Sequence, residues 1–128
     1  MSRRRTEPFA LPLRAALLLL GAACGDEACL VPPCALPAAV VLSVRDSASA
    51  APVAGVEATF TGPMTGGGPC GSATCVVPGG PGTYEIDVRA PGYRPAHRQV
   101  VVAGTAAAAC TCGAVETRQV VVSLARAE

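Results

Sequence analysis

Cysteine is the residue type in this chain with the clearest chemical potential. The sequence holds seven cysteines and a single histidine. An odd number of thiols cannot pair completely within one molecule, so one cysteine needs a separate explanation. The Cx4C and CxC spacings differ from the Cx2C pairs of common zinc sites, so the pattern favours disulfide bonds over a metal site. We expect neither a metal ion nor another cofactor.

The sequence before Cys24 resembles the export signal of a bacterial lipoprotein. Four arginines precede an apolar run over residues 15–23, which is shorter than the about 20 residues that a membrane span requires. Gly21, Ala22 and Ala23 resemble the lipobox, where a signal peptidase cuts ahead of a lipid-modified cysteine. Ordinary secretory cleavage after Ala23 is the alternative, because it also follows small residues. Since a lipid on sulfur also accounts for the odd thiol, we expect Cys24 to be the anchor.

Six cysteines then remain as disulfide candidates: Cys29, Cys34, Cys70, Cys75, Cys110 and Cys112. Six cysteines can pair in 15 ways, and the sequence does not choose among them. A local bond, either Cys29–Cys34 or Cys70–Cys75, is the first expectation. In an extended chain the side chains of Cys110 and Cys112 lie on the same side, which favours two separate partners.

A second candidate cluster surrounds the stretch GYRPAHR. Its potential ligand contacts are Arg89, Arg94, His97 and Arg98. Such a cluster could bind an anionic ligand or a glycan, but charged residues at a strand end also serve to prevent edge-to-edge pairing. Nucleophilic catalysis needs a base beside the nucleophile, and one histidine among scattered Ser and Thr provides no such pair. The acids are spread singly, which argues against a calcium site.

Removal of the signal changes the net charge of the chain. Six arginines and eight acids follow residue 23, so the mature charge is −2 (6 − 8), compared with +1 for the whole sequence. The basic character belongs to the export signal, and we expect no nucleic-acid partner. The 105 mature residues (128 − 23) suffice for one small domain, to which each disulfide bond contributes typically about 2–4 kcal/mol.

Alternation of apolar and polar residues predicts strands through most of the mature chain. GTYEIDVRA is the clearest case, with Tyr84, Ile86 and Val88 expected to face the core. AVVLSVRD, GVEATFTG, HRQVVVAG and RQVVVSLA follow the same pattern, and turn signals such as GPMTGGGP and VPGGPG separate them. The Ala run 106–109 is too short for a helix. The pattern predicts an all-β fold, a single antiparallel β-sandwich linked by disulfide bonds.

Three segments of this pattern carry a more specific motif. The matching positions are Pro52, Val53, Gly55 and Val56, then Gly82, Tyr84, Ile86, Val88, Ala90, Gly92 and Tyr93, and finally Val120, Val122 and Leu124. Together they resemble the carboxypeptidase regulatory-like domain, a transthyretin-type sandwich of about seven strands. The resemblance implies a folding aid, spacer or interaction surface. Transthyretin-like hydrolases need several histidines and a C-terminal YRGS, whereas this chain has one histidine and ends in SLARAE.

The sequence thus predicts a signal peptide over residues 1–23, a Pro-rich tether over residues 24–38 and a β-sandwich over residues 39–128. We expect a non-catalytic lipoprotein of the bacterial cell envelope, facing the periplasm or the cell surface. Its expected partners are the membrane, through the lipid anchor, and an envelope protein or glycan. The alternative is a binding module for an anionic envelope ligand or glycan, using the turn between Arg89 and Arg98.

Overall fold

Strands are the regular elements of this protein in a computed structural model that describes residues 34–128. The predicted signal peptide, Cys24, Cys29 and most of the tether lie outside the described residues. The elements are β1 (Ala38–Asp46), β2 (Glu57–Thr61), β3 (Gly66–Pro69), β4 (Thr74–Pro78), β5 (Gly82–Arg89), β6 (Ala96–Val102), β7 (Gly104–Thr105), β8 (Ala114–Val115) and β9 (Arg118–Leu124). Residues 34–128 contain no helix long and apolar enough to cross a bilayer.

The strands form two main sheets and a short ribbon. In the three-stranded sheet, β1 lies between β4, which is antiparallel to it, and β9, which is parallel to it. The four-stranded sheet has the order β3-β2-β5-β6 and is antiparallel throughout, while β7 and β8 form the ribbon. The predicted all-β sandwich is confirmed. Two details of the prediction are wrong, because residues 34–128 contain nine strands instead of about seven and because β1 and β9 run parallel.

The predicted alternation places apolar side chains of both sheets in one core. Tyr84, Ile86 and Val88 of β5 are fully buried, as are Leu42 and Val44 of β1. These residues belong to a single buried cluster with the inward-facing residues of β2, β4, β6 and β9. The polar residues between them on β5 face solvent. Period-two alternation in the sequence thus fixes which face of each long strand is buried.

Two strands lie where the sequence predicts turns. GPMTGGGP contains β3, and β4 ends inside VPGGPG. β3 pairs with β2, and there Gly67 has a φ of 144°. A Cβ on Gly67 would collide with the main chain of Ala58 and Thr59. Glycine therefore permits the two strands to approach closely here. In the sequence, a Gly-rich strand of this kind has the same composition as a turn, which is why the pattern predicts a turn there.

The connections gather at the two ends of the sandwich. We call the end where the described chain begins the entry end. It contains four segments: 34–37, 62–65, 79–81 and 103–117. The far end contains the other four: 47–56, 70–73, 90–95 and 125–128.

Disulfide bonds are present at both ends. Cys34–Cys112 joins the first described residue to the connection between β7 and β8 at the entry end, across a sequence separation of 78. Cys70–Cys75 closes the turn between β3 and β4 at the far end. Cys110 is also disulfide-bonded. Of the two local bonds considered, Cys70–Cys75 forms, whereas Cys29–Cys34 is wrong because Cys34 is bonded to Cys112.

Candidate functional site

The turn between β5 and β6 is held against the C-terminal tail. The Tyr93 amide donates to the Ala90 carbonyl at 3.1 Å, and Gly92 has a φ of 79°, as the tight turn requires. The Arg94 amide donates to the Ala125 carbonyl at 2.8 Å, and the Ala127 amide donates to the Gly92 carbonyl at 2.9 Å. Main-chain hydrogen bonds therefore fix the predicted ligand-binding turn on both sides.

A buried carboxylate lies beneath this turn. Asp46, at the end of β1, is 3% exposed, and its Oδ2 accepts hydrogen bonds from the Tyr93 hydroxyl at 2.8 Å and from Arg126 Nε at 2.9 Å. Its Oδ1 accepts from the amides of Ala48 and Ser49 at 2.8 and 3.0 Å. The Arg126 guanidinium also lies 5.9 Å from the centre of the Tyr93 ring. These hydrogen bonds hold the pKa of Asp46 well below its usual range. The largest contribution comes from the Ser49 amide, and smaller ones come from Arg126, Tyr93 and the Ala48 amide, in that order.

Histidine 97 forms a second polar cluster on the outer face of the four-stranded sheet. His97 Nδ1 lies 2.9 Å from Asp87 Oδ1, and Nε2 contacts Glu85 Oε2. Gln99 Nε2 donates to the other Glu85 oxygen at 2.8 Å. The strand register explains the cluster, because Asp87 is paired with His97 and Glu85 with Gln99. Asp87 and then Glu85 raise the pKa of His97 above its ordinary value of 6.5.

The structure does not bring the four predicted ligand contacts together on one cationic surface. His97 and Arg98 are consecutive in β6 and point to opposite faces of the sheet. His97 is matched by two carboxylates, and Arg98 donates to the His97 carbonyl at 2.8 Å. Arg89 is paired in register with Glu57 on β2, and Arg94 lies in the turn. Two carboxylates outnumber the one imidazole, so the outer face around His97 is negatively charged and does not favour an anion.

The His97 cluster does not have the order of side chains found in a nucleophilic triad. Thr59 lies in the same cross-strand row, since Thr59 pairs with Asp87 and Asp87 with His97. In a nucleophilic triad the imidazole stands between hydroxyl and carboxylate, whereas here Asp87 stands in the middle. Both ring nitrogens of His97 already contact carboxylates. Among residues 34–128, no group of three or more His, Cys, Asp or Glu side chains is arranged to hold a metal ion.

An open groove lies between the edge strands β3 and β4. Its volume is about 430 Å3, and its lining includes Phe60, Gly68, Cys70, Val76 and Val77. The full lining contains no charged side chain. Its walls can therefore supply apolar contact and main-chain hydrogen bonds but no acid or base.

Sequence reasoning missed the buried network around Asp46. Asp46 and Arg126 are 80 residues apart, and neither lies in a recognisable spacing with Tyr93. The one available signal was the acid at the end of the alternating run AVVLSVRD, where an apolar core position was due.

Comparison of the chain with protein-family models, with curated proteins and with solved structures gave no match.

Proposed function

We propose that this chain is a non-catalytic lipoprotein of the bacterial cell envelope, anchored through Cys24, whose sandwich is a structural or protein-interaction module at a membrane surface. The observation that carries the proposal is the disulfide content of the sandwich. Cys34–Cys112 and Cys70–Cys75 are bonds that persist in an oxidising compartment and are rare in the bacterial cytosol. An exported location agrees with the signal pattern in the sequence.

The count of cysteines supports the lipid anchor. All five cysteines in residues 34–128 form disulfide bonds. Seven cysteines cannot all pair within one chain, so one sulfur is left over. The lipobox pattern assigns this sulfur to Cys24.

The polar clusters of the domain support an architectural role. Each carboxylate oxygen of Asp46 accepts two hydrogen bonds, and all four donors belong to the turns and the tail that Asp46 joins. His97 links β5 to β6 through Asp87 and Glu85. Each charged cluster is thus saturated by groups of the same chain, whereas the uncharged groove between β3 and β4 is open to a partner.

Acyl attachment is testable by mass and by label. We expect the protein extracted from membranes to carry added acyl mass, to incorporate labelled palmitate and to show no free thiol on alkylation. A Cys24→Ser variant should lose the label and leave the membrane fraction. The control variant Cys70→Ser/Cys75→Ser, which also removes sulfurs, should keep the palmitate label and stay in the membrane fraction. Full-length, unacylated and fully reduced protein in the cytoplasm would refute the proposal.

A further inference from the structure

The two ends of the sandwich differ in charge. Glu116 is the only charged residue in the four segments of the entry end, which otherwise consist of Gly, Ala, Pro, Thr, Cys, Leu, Met and Val. Arg94, Arg126 and Glu128 lie in the far-end segments, and Glu57, Arg89 and the buried Asp46 lie at the adjoining strand ends. At the entry end, Arg118 at the start of β9 is the one charged residue at an adjoining strand end within residues 34–128. A polar solvent-facing surface and a nearly uncharged one therefore lie at opposite ends of the same small domain.

The entry end also exposes apolar side chains. Leu36 is 57% exposed and Met64 37%, and both lie in entry-end segments. Val101, which is 60% exposed, is the second-last residue of β6 and pairs with Thr83, the second residue of β5. It therefore lies close to the entry end. The Ala run 106–109 is exposed throughout. Val76 and Val121 are also exposed, but they lie in the middle of the three-stranded sheet and not at an end. An end that exposes apolar side chains and carries little charge suits contact with another apolar phase.

The position of the lipid anchor along the chain indicates which apolar phase the entry end contacts. If Cys24 carries the lipid, as proposed above, only the nine residues 25–33 lie between the anchor and Cys34, the first described residue, so the two are ten positions apart. Ten positions span at most about 36 Å when the chain is fully extended. Cys34–Cys112 fastens the start of the domain to the Ala-rich connection, so this connection is held at the same end as the tether. The bilayer is then the apolar phase nearest to the entry end.

A short tether also makes weak contacts effective. Attachment at Cys24 turns contact with the bilayer into an intramolecular event, and a short linker gives an effective concentration in the millimolar range. Side chains such as Leu36 and Met64 need therefore supply little affinity of their own. The near absence of charge in the entry-end segments removes the desolvation cost that charged side chains would impose at the lipid interface.

We propose that the entry end docks on the surface of the bilayer that holds the lipid anchor, with Leu36, Met64 and the Ala run 106–109 at the lipid interface. The far end, with the turn 90–95 and the C-terminal tail, then points away from the membrane. The inference rests on the proposed lipoprotein function and adds to it a fixed orientation. A tether alone would leave the domain free to rotate.

The complete absence of tryptophan makes the test direct, because any introduced Trp is the only one in the protein. Single variants Met64→Trp and Ala107→Trp place it at the entry end, and Ala54→Trp places it in an exposed segment of the far end. The acylated proteins are reconstituted into vesicles of phosphatidylethanolamine and phosphatidylglycerol, with and without brominated acyl chains. We expect a shift of emission to shorter wavelength and quenching by brominated lipid for positions 64 and 107, and neither effect for position 54.

The outcomes separate the orientation from the anchor. If the vesicles carry acylated protein and the emission at position 64 matches that at position 54, the orientation is wrong and the anchor stands. If quenching occurs only at position 54, the domain docks by the opposite end and the inference is overturned. Protein that lacks acyl mass and does not float with the vesicles would overturn the anchor and, with it, the orientation. A Met64→Asp variant, expected to reduce quenching at position 107, tests the apolar contact itself.

Discussion

Gly79 and Tyr84 lie against each other beside the core, and their contact leads to a prediction about non-additive stability. The Tyr84 ring is fully buried, and its hydroxyl donates to the Gly80 carbonyl at 2.6 Å. Gly79 is buried and has a φ of 149°, a conformation that other residues rarely adopt. A Cβ at position 79 would collide with the Tyr84 hydroxyl oxygen. Removal of that hydroxyl should therefore relieve part of the damage caused by Gly79→Ala.

The expected sizes follow from these contacts. Tyr84→Phe loses one hydrogen bond, at a cost of about 1 kcal/mol in the free energy of unfolding. Gly79→Ala incurs about 1–3 kcal/mol for its backbone conformation and about 1–3 kcal/mol for the steric overlap. In the double variant the hydroxyl is gone and the overlap is largely relieved, while the backbone cost remains. We expect the double variant to be more stable than the sum of the single effects by at least about 1 kcal/mol.

Urea denaturation of the four proteins, followed by tyrosine fluorescence or circular dichroism, measures the coupling. Gly80→Ala is the matched control, because a Cβ there has no neighbour within 4 Å and should cost little. Additivity of the Gly79 and Tyr84 effects within about 0.5 kcal/mol would refute the reasoning. A large loss of stability for Gly80→Ala would show that the loop, and not the contact, is sensitive.

Three further predictions concern covalent and electrostatic links. Cys70→Ser/Cys75→Ser should lower the free energy of unfolding by about 2 kcal/mol, the chain-entropy value for a separation of 5 residues, and an unchanged urea midpoint would contradict this. Because the pKa of His97 is raised, the stability that protonated His97 adds to the fold is complete below the unfolded pKa of 6.5 and is lost as pH rises through the folded pKa. The difference in the free energy of unfolding between the wild type and His97→Gln should therefore shrink as pH rises from roughly 6 to 9. An unchanged difference in urea midpoint across that range would rule this out. Because the pKa of Asp46 is lowered, its stabilisation is present above 3.8 and is lost as pH falls through the folded pKa. Arg126→Gln removes one donor to Asp46 and should move acid unfolding, followed by circular dichroism, to higher pH, whereas Arg118→Gln at the other end should not; equal shifts in both variants would contradict the assignment.

For the candidate site around His97, the sequence predicted which residues are present but not how they are arranged. The sequence shows that Arg89, Arg94, His97 and Arg98 are close along the chain, but proximity in sequence does not determine the sheet face. Strand alternation separates His97 from Arg98, and the register between β5 and β6 brings Asp87 and Glu85 to His97. The histidine of a cluster that looks cationic in the sequence is thereby surrounded by two carboxylates from ten and twelve positions earlier.

The sequence by itself determined the fold class and the buried faces, because alternation is a local signal that each strand carries in its own residues. It identified Tyr84, Ile86 and Val88 as core residues without reference to any partner strand. The tertiary structure alone decided which distant segments meet. The parallel pairing of β1 with β9, the Cys34–Cys112 bond and the contact of Arg126 with Asp46 each join residues about 80 positions apart. Such pairings depend on how the whole core packs, and no local periodicity encodes them.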